Sequence, residues 1–99
     1  MRIYISGPIT GHLDTYKATF AAAADTIRKG GHEPVNPATI QLDDGASWAD
    51  YMDIALNMLW GSDGIYMLPG WRSSRGARIE HGLALDLDLE VVDFHEVSC

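Results

Sequence analysis

The sequence predicts an α/β protein with a small, mostly parallel sheet covered by helices on both faces. Three observations carry that expectation. Strand-like and helix-like segments alternate along the 99 residues, an order that right-handed crossovers convert into a parallel sheet. The strand-like segments are short, rich in β-branched or aromatic residues, and punctuated by Gly and Pro. Apolar residues make up 46% of the chain, enough for one packed core and too many for disorder, so residues 1–99 are expected to form one domain.

Taken in order, Arg2-Ser6 (RIYIS) forms a first strand that Gly7-Pro8 ends. From Asp14 to Lys29 the apolar positions Tyr16, Phe20, Ala23, Ala24 and Ile27 recur at helical spacing, and Gly30-Gly31 stop the helix. His32-Asn36 (HEPVN) is a weak strand, placed at a sheet edge because Pro34 cannot donate to a ladder. After a polar stretch, Ser47 with Asp50 three residues on opens a second helix as a capping box. Trp48, Tyr51, Met52, Ala55 and Leu59 mark its apolar face, and Gly61 ends it after Trp60. Gly64-Leu68 (GIYML) suits a buried central strand, broken by Pro69-Gly70. Ser73 or Ser74 caps a third helix with Ile79, Leu83 and Leu87 toward the core, and Glu90-Phe94 (EVVDF) is the last strand.

Charge and composition exclude several functions. Fourteen acidic against seven basic residues give a net charge of -7, which leaves no basic surplus for duplex nucleic acid. A local pocket can still bind a small anion. The single cysteine, Cys99, allows no intrachain disulfide and fits a reducing cytoplasm. No apolar run approaches the ~20 residues of a membrane span, and Met1-Arg2 leads directly into a strand, so neither membrane nor signal peptide is expected. Four scattered histidines offer no metal-ligand spacing. The first turn is neither G-x-G-x-x-G nor a Walker loop, so no cofactor is expected.

Ligands of parallel sheets bind outside the carboxyl ends of the strands. Three segments meet there: Gly7-Gly11, Asn36-Pro37 and Pro69-Glu80. Gly7 and Gly11 let backbone approach a ligand closely, with the Tyr4 phenol just before the turn. A helix opening at Ser73 or Ser74 presents unpaired N–H groups to an anion. Arg72, Arg75 and Arg78 crowd its first turns, where each exposed cation opposes the helix dipole by roughly 0.3–1 kcal/mol. A bound anion would offset that cost; solvated surface arginines are the plainer alternative. Within this helix Glu80 follows Gly76 and Ala77 at i−4 and i−3, so its carboxylate lies over a surface bare of bulky groups and leans toward the capped turn. The alternative is an exposed Glu80 paired with Arg75 or Arg78. Trp71, just past the Pro69-Gly70 break, is expected to stack on a ligand or else to pack under the loop, and His81 points to another face.

Tyr4-Ile5-Ser6-Gly7-Pro8-Ile9-Thr10-Gly11, together with Ser74-Arg75-Gly76-Ala77-Arg78-Ile79-Glu80, resembles the paired signature of the nucleoside 2-deoxyribosyltransferase superfamily. The likeness is greatest to its small branch, which includes the 2'-deoxynucleoside 5'-phosphate N-hydrolases. The stretch YMLPGWRSSRGARIEHGLA, with W-x-x-Y-M upstream, also resembles a bacterial and phage domain family of unknown function. The resemblance covers nearly the whole chain. It implies a flavodoxin-like, three-layer α/β/α fold with a sheet of four to five strands, and cleavage of the N-glycosidic bond of a nucleoside or nucleoside 5'-monophosphate. Glu80 matches the nucleophile that attacks C1' to form a glycosyl-enzyme ester, as in retaining glycosidases. Ser74, beside Arg75 and Gly76, matches a phosphate-binding serine. Tyr4 matches a tyrosine lining the sugar site, and Gly7, Ile9 and Gly11 match the turn beneath it.

One position departs from the pattern. The superfamily carries an Asp on the preceding helix, about two turns before the acid that opens the next strand, to protonate the departing base. Counting back from Asp63 leads to Ala55. Asp53 lies two residues away, roughly 200° around a regular helix. Either Asp53 serves from an irregular helix or the leaving-group acid is missing. Two other readings therefore stand beside the enzyme: a nucleotide-binding protein that senses or sequesters without turnover, and an interaction domain with no ligand. Trp48, Tyr51, Met52, Met58 and Trp60 also give the second helix more apolar surface than one face can hide, which predicts a homodimer.

Overall fold

A computed structural model describes residues 1–9 and 11–93. Thr10, Phe94 and Cys99 therefore lie outside the described residues. The elements are β1 (Arg2–Ser6), α1 (Tyr16–Lys29), β2 (Glu33–Val35), α2 (Trp48–Trp60), β3 (Gly64–Met67), α3 (Arg75–Asp86) and β4 (Glu90–Asp93). Short 3-10 turns, Pro37–Thr39 and Trp71–Ser73, precede α2 and α3. All strand pairings are parallel, in the order β2-β1-β3-β4.

The pleat divides the core in two. Ile3 and Ile5 of β1 face α1, where they meet Phe20, Ala23, Ala24 and Ile27 together with Tyr66 and Leu68. Tyr4 of β1 faces the opposite way, with Ile65 and Met67, against Ala55 and Leu59 of α2 and Ala77 and Ala84 of α3. One helix thus covers one face and two cover the other, the arrangement expected of an α/β sandwich whose crossovers share one hand. Strand β3 is buried along its whole length, as a central parallel strand should be. Strand β2 takes the edge that Pro34 demands.

Local signals act where the chemistry says they should. Ser47 Oγ accepts from the Asp50 N–H (3.1 Å) while Asp50 accepts from the Ser47 N–H (2.9 Å), a complete capping box that starts α2. Helix α1 begins at Tyr16 rather than Asp14, because the chain first makes a turn in which His12 O accepts from Tyr16 N. The buried face of α3 differs from the one its hydrophobic period predicts. Ala77, Glu80 and Ala84 are buried, Leu83 and Leu87 are half-buried, and Ile79 is exposed. Small residues face the sheet there, so α3 settles close to β1 and β3. Among the described residues no helix is long and apolar enough to cross a membrane.

The turn after β1 is fixed by contact with the end of β3. A Cβ at Gly7 would lie 2.8 Å from Leu68 Cβ and 2.9 Å from Leu68 Cδ1. The first of these atoms is anchored to backbone and cannot swing away. Gly7→Ala should therefore cost about 1–3 kcal/mol through overpacking, read as a lower urea midpoint with an unchanged slope. An unchanged midpoint would show that the ends of β1 and β3 separate freely.

Candidate active site

The sheet order reverses direction at its centre. From β1 the chain moves outward through α1 to β2, and from β3 it moves the other way through α3 to β4. The crevice between the carboxyl ends of β1 and β3 is the switch point at which such sheets bind ligands. A cavity of about 770 Å³ opens there. The turn after β1 contributes Gly7, Pro8, Ile9 and His12, and α1 contributes Tyr16 and Phe20. Pro37, Ile40 and Leu42 come from the segment after β2, and Trp48, Tyr51 and Met52 from α2. Ser73 and Ser74, just before α3, close it together with Arg75, Gly76, Ala77 and Glu80 of α3.

Glu80 is built into this wall from three elements. Ser74 caps α3, its Oγ accepting from Ala77 N at 3.3 Å. One turn further on, Gly76 and Ala77 leave space on the inner side of the helix. A Cβ at Gly76 would stand 3.3 Å from Met52 Sδ, so glycine here also lets α2 close on α3. The Glu80 side chain enters that space and is only 5% exposed. Its Oε1 accepts from Ser6 Oγ at 2.7 Å, and its Oε2 accepts from the Tyr4 hydroxyl. Both donors come from β1, where period-two alternation turns residues 4 and 6 to the same face. Among the described residues Glu80 forms no ion pair, which excludes the exposed partnership with Arg75 or Arg78.

Burial dominates the electrostatics. Loss of water pushes the Glu80 carboxyl up to about 7, against the opposing pull of the hydrogen bonds from Tyr4 and Ser6. Tyr4, fully buried, has its phenol driven far above the ordinary range by burial and then by the adjacent Glu80 charge. The Tyr51 phenol is raised by the same two causes in the same order. Tyr4 therefore keeps its proton and holds the carboxylate from beneath. It is a positioning residue, outside the cavity wall.

The other expected site residues divide sharply. Gly7, Ile9, Ser74, Arg75, Gly76 and Glu80 all line the cavity. Gly11, with φ 86°, does not. Trp71 is corrected from ligand platform to core residue. Left-handed Gly70 (φ 81°) turns the chain so that the Trp71 ring folds inward and stacks on His81, with ring centroids 4.4 Å apart. Asp53 is also corrected. Helix α2 is regular, Asp53 is exposed and outside the cavity wall, and Ala55 is sealed in the core with no exposure. Of the three arginines near the start of α3, only Arg75 reaches the cavity, its guanidinium 4.7 Å from the centroid of the Trp48 ring.

Residues 1–93 match the family described as Domain of unknown function (DUF4406). The chain belongs to this family. No curated protein matches it. The DUF4406 match spans every element that builds the cavity, from β1 through β4.

Sequence reasoning missed several contributors to the site, among them Ser6, Trp48, Tyr51 and His12. Ser6 carried a usable signal, since it shares a strand face with Tyr4. Trp48 and Tyr51 read as part of the apolar face of α2, but its first turn lines the cavity as well, with Tyr51 also packed on the core. His12 had none, because nothing local brings that turn toward α3.

The buried carboxyl makes a signed prediction. Between pH 4.5 and about 7 the folded protein holds a proton on Glu80 that the unfolded chain has released. The contribution of Glu80 to stability is therefore greatest below pH 4.5 and is lost as pH rises through 7. Glu80→Gln has no such titration. Urea unfolding from pH 4 to pH 8 should show the variant gaining on wild type by on the order of 3 kcal/mol. A difference independent of pH would mean that the carboxyl titrates normally.

Proposed function

We propose that the protein cleaves the N-glycosidic bond of a nucleoside or nucleoside 5'-monophosphate, with Glu80 as nucleophile. The observation that carries this reading is a carboxylate held by two hydroxyl donors in the wall of a cavity at the sheet's switch point. Such a group has few uses in stabilising a fold, since burial disfavours its charged form. It suits attack on C1', where oxocarbenium-like charge develops against a fixed anion. The Oε–C1' bond forms as the C1'–N bond breaks, and the electron pair leaves with the base. Water, or a second base, then displaces the sugar and restores the carboxylate. Only the ionised form attacks, so turnover rises with pH as Glu80 loses its proton near 7.

The resemblance of the Tyr4-to-Gly11 and Ser74-to-Glu80 segments to the nucleoside 2-deoxyribosyltransferase superfamily supports the same chemistry. A 5'-phosphate fits the α3 end of the cavity. There Arg75 supplies charge, and the Ser74 hydroxyl, which accepts from Ala77 N, retains a proton to donate. The single cysteine fits a cytoplasmic setting, and the exposed Trp60 and Ile54 on α2 fit a homodimer. One finding favours a second reading, a nucleotide binder without turnover: α2 places no carboxyl group in the cavity wall.

Incubation with nucleosides and their 5'-monophosphates, followed by chromatography of released base, tests the assignment. Glu80→Gln should reduce release to background, whereas Asp53→Asn should leave it unchanged. Wild-type turnover in Glu80→Gln would end the glycosyl-enzyme mechanism. Binding without release by wild-type protein would establish the second reading. Separately, a 5'-monophosphate should bind roughly 10- to 100-fold more tightly than its nucleoside, the scale of a charge-assisted contact. Arg75→Ala should close most of that gap in calorimetry.

A further inference from the structure

Resting on the N-glycosidase reading, we propose that the substrate class is N-glycosides of cationic heteroaromatic bases, such as a pyridinium ring or an N7-alkylated purine. Two independent features of the cavity lead there.

The first is its inventory of protons. When C1' separates from a neutral base, the bond's electron pair localises on the ring, and a general acid that meets it is typically worth 10²–10⁴-fold. Among the described residues, Glu80 is the only carboxyl group in the cavity wall, and the nucleophilic role requires it ionised. The acids of α2 are elsewhere: Asp50 closes the capping box, and Asp53 is exposed outside the wall. Tyr51 holds its proton more tightly than an ordinary phenol. Ser73 donates to Gly70 O at 2.8 Å, and an arginine such as Arg75 does not release a proton at all. The remaining proton carriers are the Ser74 hydroxyl, set at the phosphate end, the Tyr16 phenol of α1, and His12, exposed at the turn after β1. A cationic base asks for none of these. As its C1'–N bond breaks, the electron pair neutralises the ring and a neutral base departs. Water then attacks C1', Glu80 leaves as carboxylate, and one proton passes to solvent.

The second feature is the character of the walls. Tyr16, Phe20, Trp48 and Tyr51 surround a cavity whose only acidic lining residue, among those described, is Glu80. Aromatic faces attract cations, and Arg75 already lies over Trp48 in that way. No Asn or Gln among the described lining residues is available to read the hydrogen-bonding edge of a base. Recognition therefore falls to charge and stacking, in a protein whose net charge of -7 already draws cations.

The test compares N7-methylguanosine 5'-monophosphate with guanosine 5'-monophosphate, in ribose and 2'-deoxyribose forms, and adds nicotinamide mononucleotide as the pyridinium case. Each rate of base release is divided by that of Glu80→Gln, which removes the intrinsic lability of the cationic compounds. The methylated nucleotide should be accelerated at least ~10-fold more than its unmethylated twin, because the latter lacks an acid. Nicotinamide mononucleotide should release one proton per turnover at pH 8. Trp48→Leu should raise KM for the methylated substrate more than for the unmethylated one. Equal or greater acceleration of the unmethylated nucleotide would overturn the cationic preference while leaving Glu80 chemistry intact. Rapid release of neutral base that collapses in His12→Ala or Tyr16→Phe would also overturn it, by showing that side chain to be the acid. No release from any of these compounds would overturn the cationic preference if other nucleosides or their 5'-monophosphates are cleaved, and would defeat the N-glycosidase reading itself if they are not.

Discussion

The contact between Glu80 and the first strand is the constraint around which this protein is arranged. A carboxylate removed from water must find donors, and these two come from β1 while the acid comes from α3. That requirement fixes the face to which residues 4 and 6 point, and it fixes how near α3 must lie to the sheet. Small residues on the inner side of α3 satisfy the second demand. Gly76 satisfies it against α2 as well. The cavity exists because side chains of ordinary size are absent along the path that Glu80 occupies.

Much of this was legible in the sequence, and the reasons can be named. Strand and helix periods are physical consequences of backbone geometry, so alternation yielded the layers, while Pro34 put β2 at the edge and the apolar run Gly64-Leu68 put β3 at the centre. The bareness around Gly76 and Ala77 matches the buried position that the Glu80 side chain takes beside the cavity. Ile79 failed because hydrophobicity is a weak guide where a helix buries small residues and an acid, leaving its larger apolar groups outside. Trp71 failed because its direction depends on the left-handed conformation of Gly70, a tertiary choice that composition does not reveal. His12 depends on how a turn is carried past α1, which no local pattern encodes.

Helix α2 shows how packing and chemistry divide a single element. Trp48, Tyr51 and Met52, near its start, face the cavity, while Ala55 and Leu59 are committed to the core. Ala55 has no exposure, so an aspartate there would be an unpaired charge inside packed hydrocarbon. Position 55 is thus closed to polar chemistry by the surrounding core. Asp63, the acid that opens β3, is engaged structurally, its Oδ2 accepting from Arg2 N at 2.9 Å.

The two hydrogen bonds to Glu80 span 76 and 74 residues of chain. Such contacts close only after most of the loop entropy has been spent, which places them late in assembly. A chain that has formed β1, α1 and β2 but has not docked α3 holds no part of the cavity's acidic wall, and its carboxyl remains hydrated. The site is therefore all-or-none. No partly folded form holds a partial version of the Glu80 environment, and the charged group is desolvated only once the cavity walls are already standing.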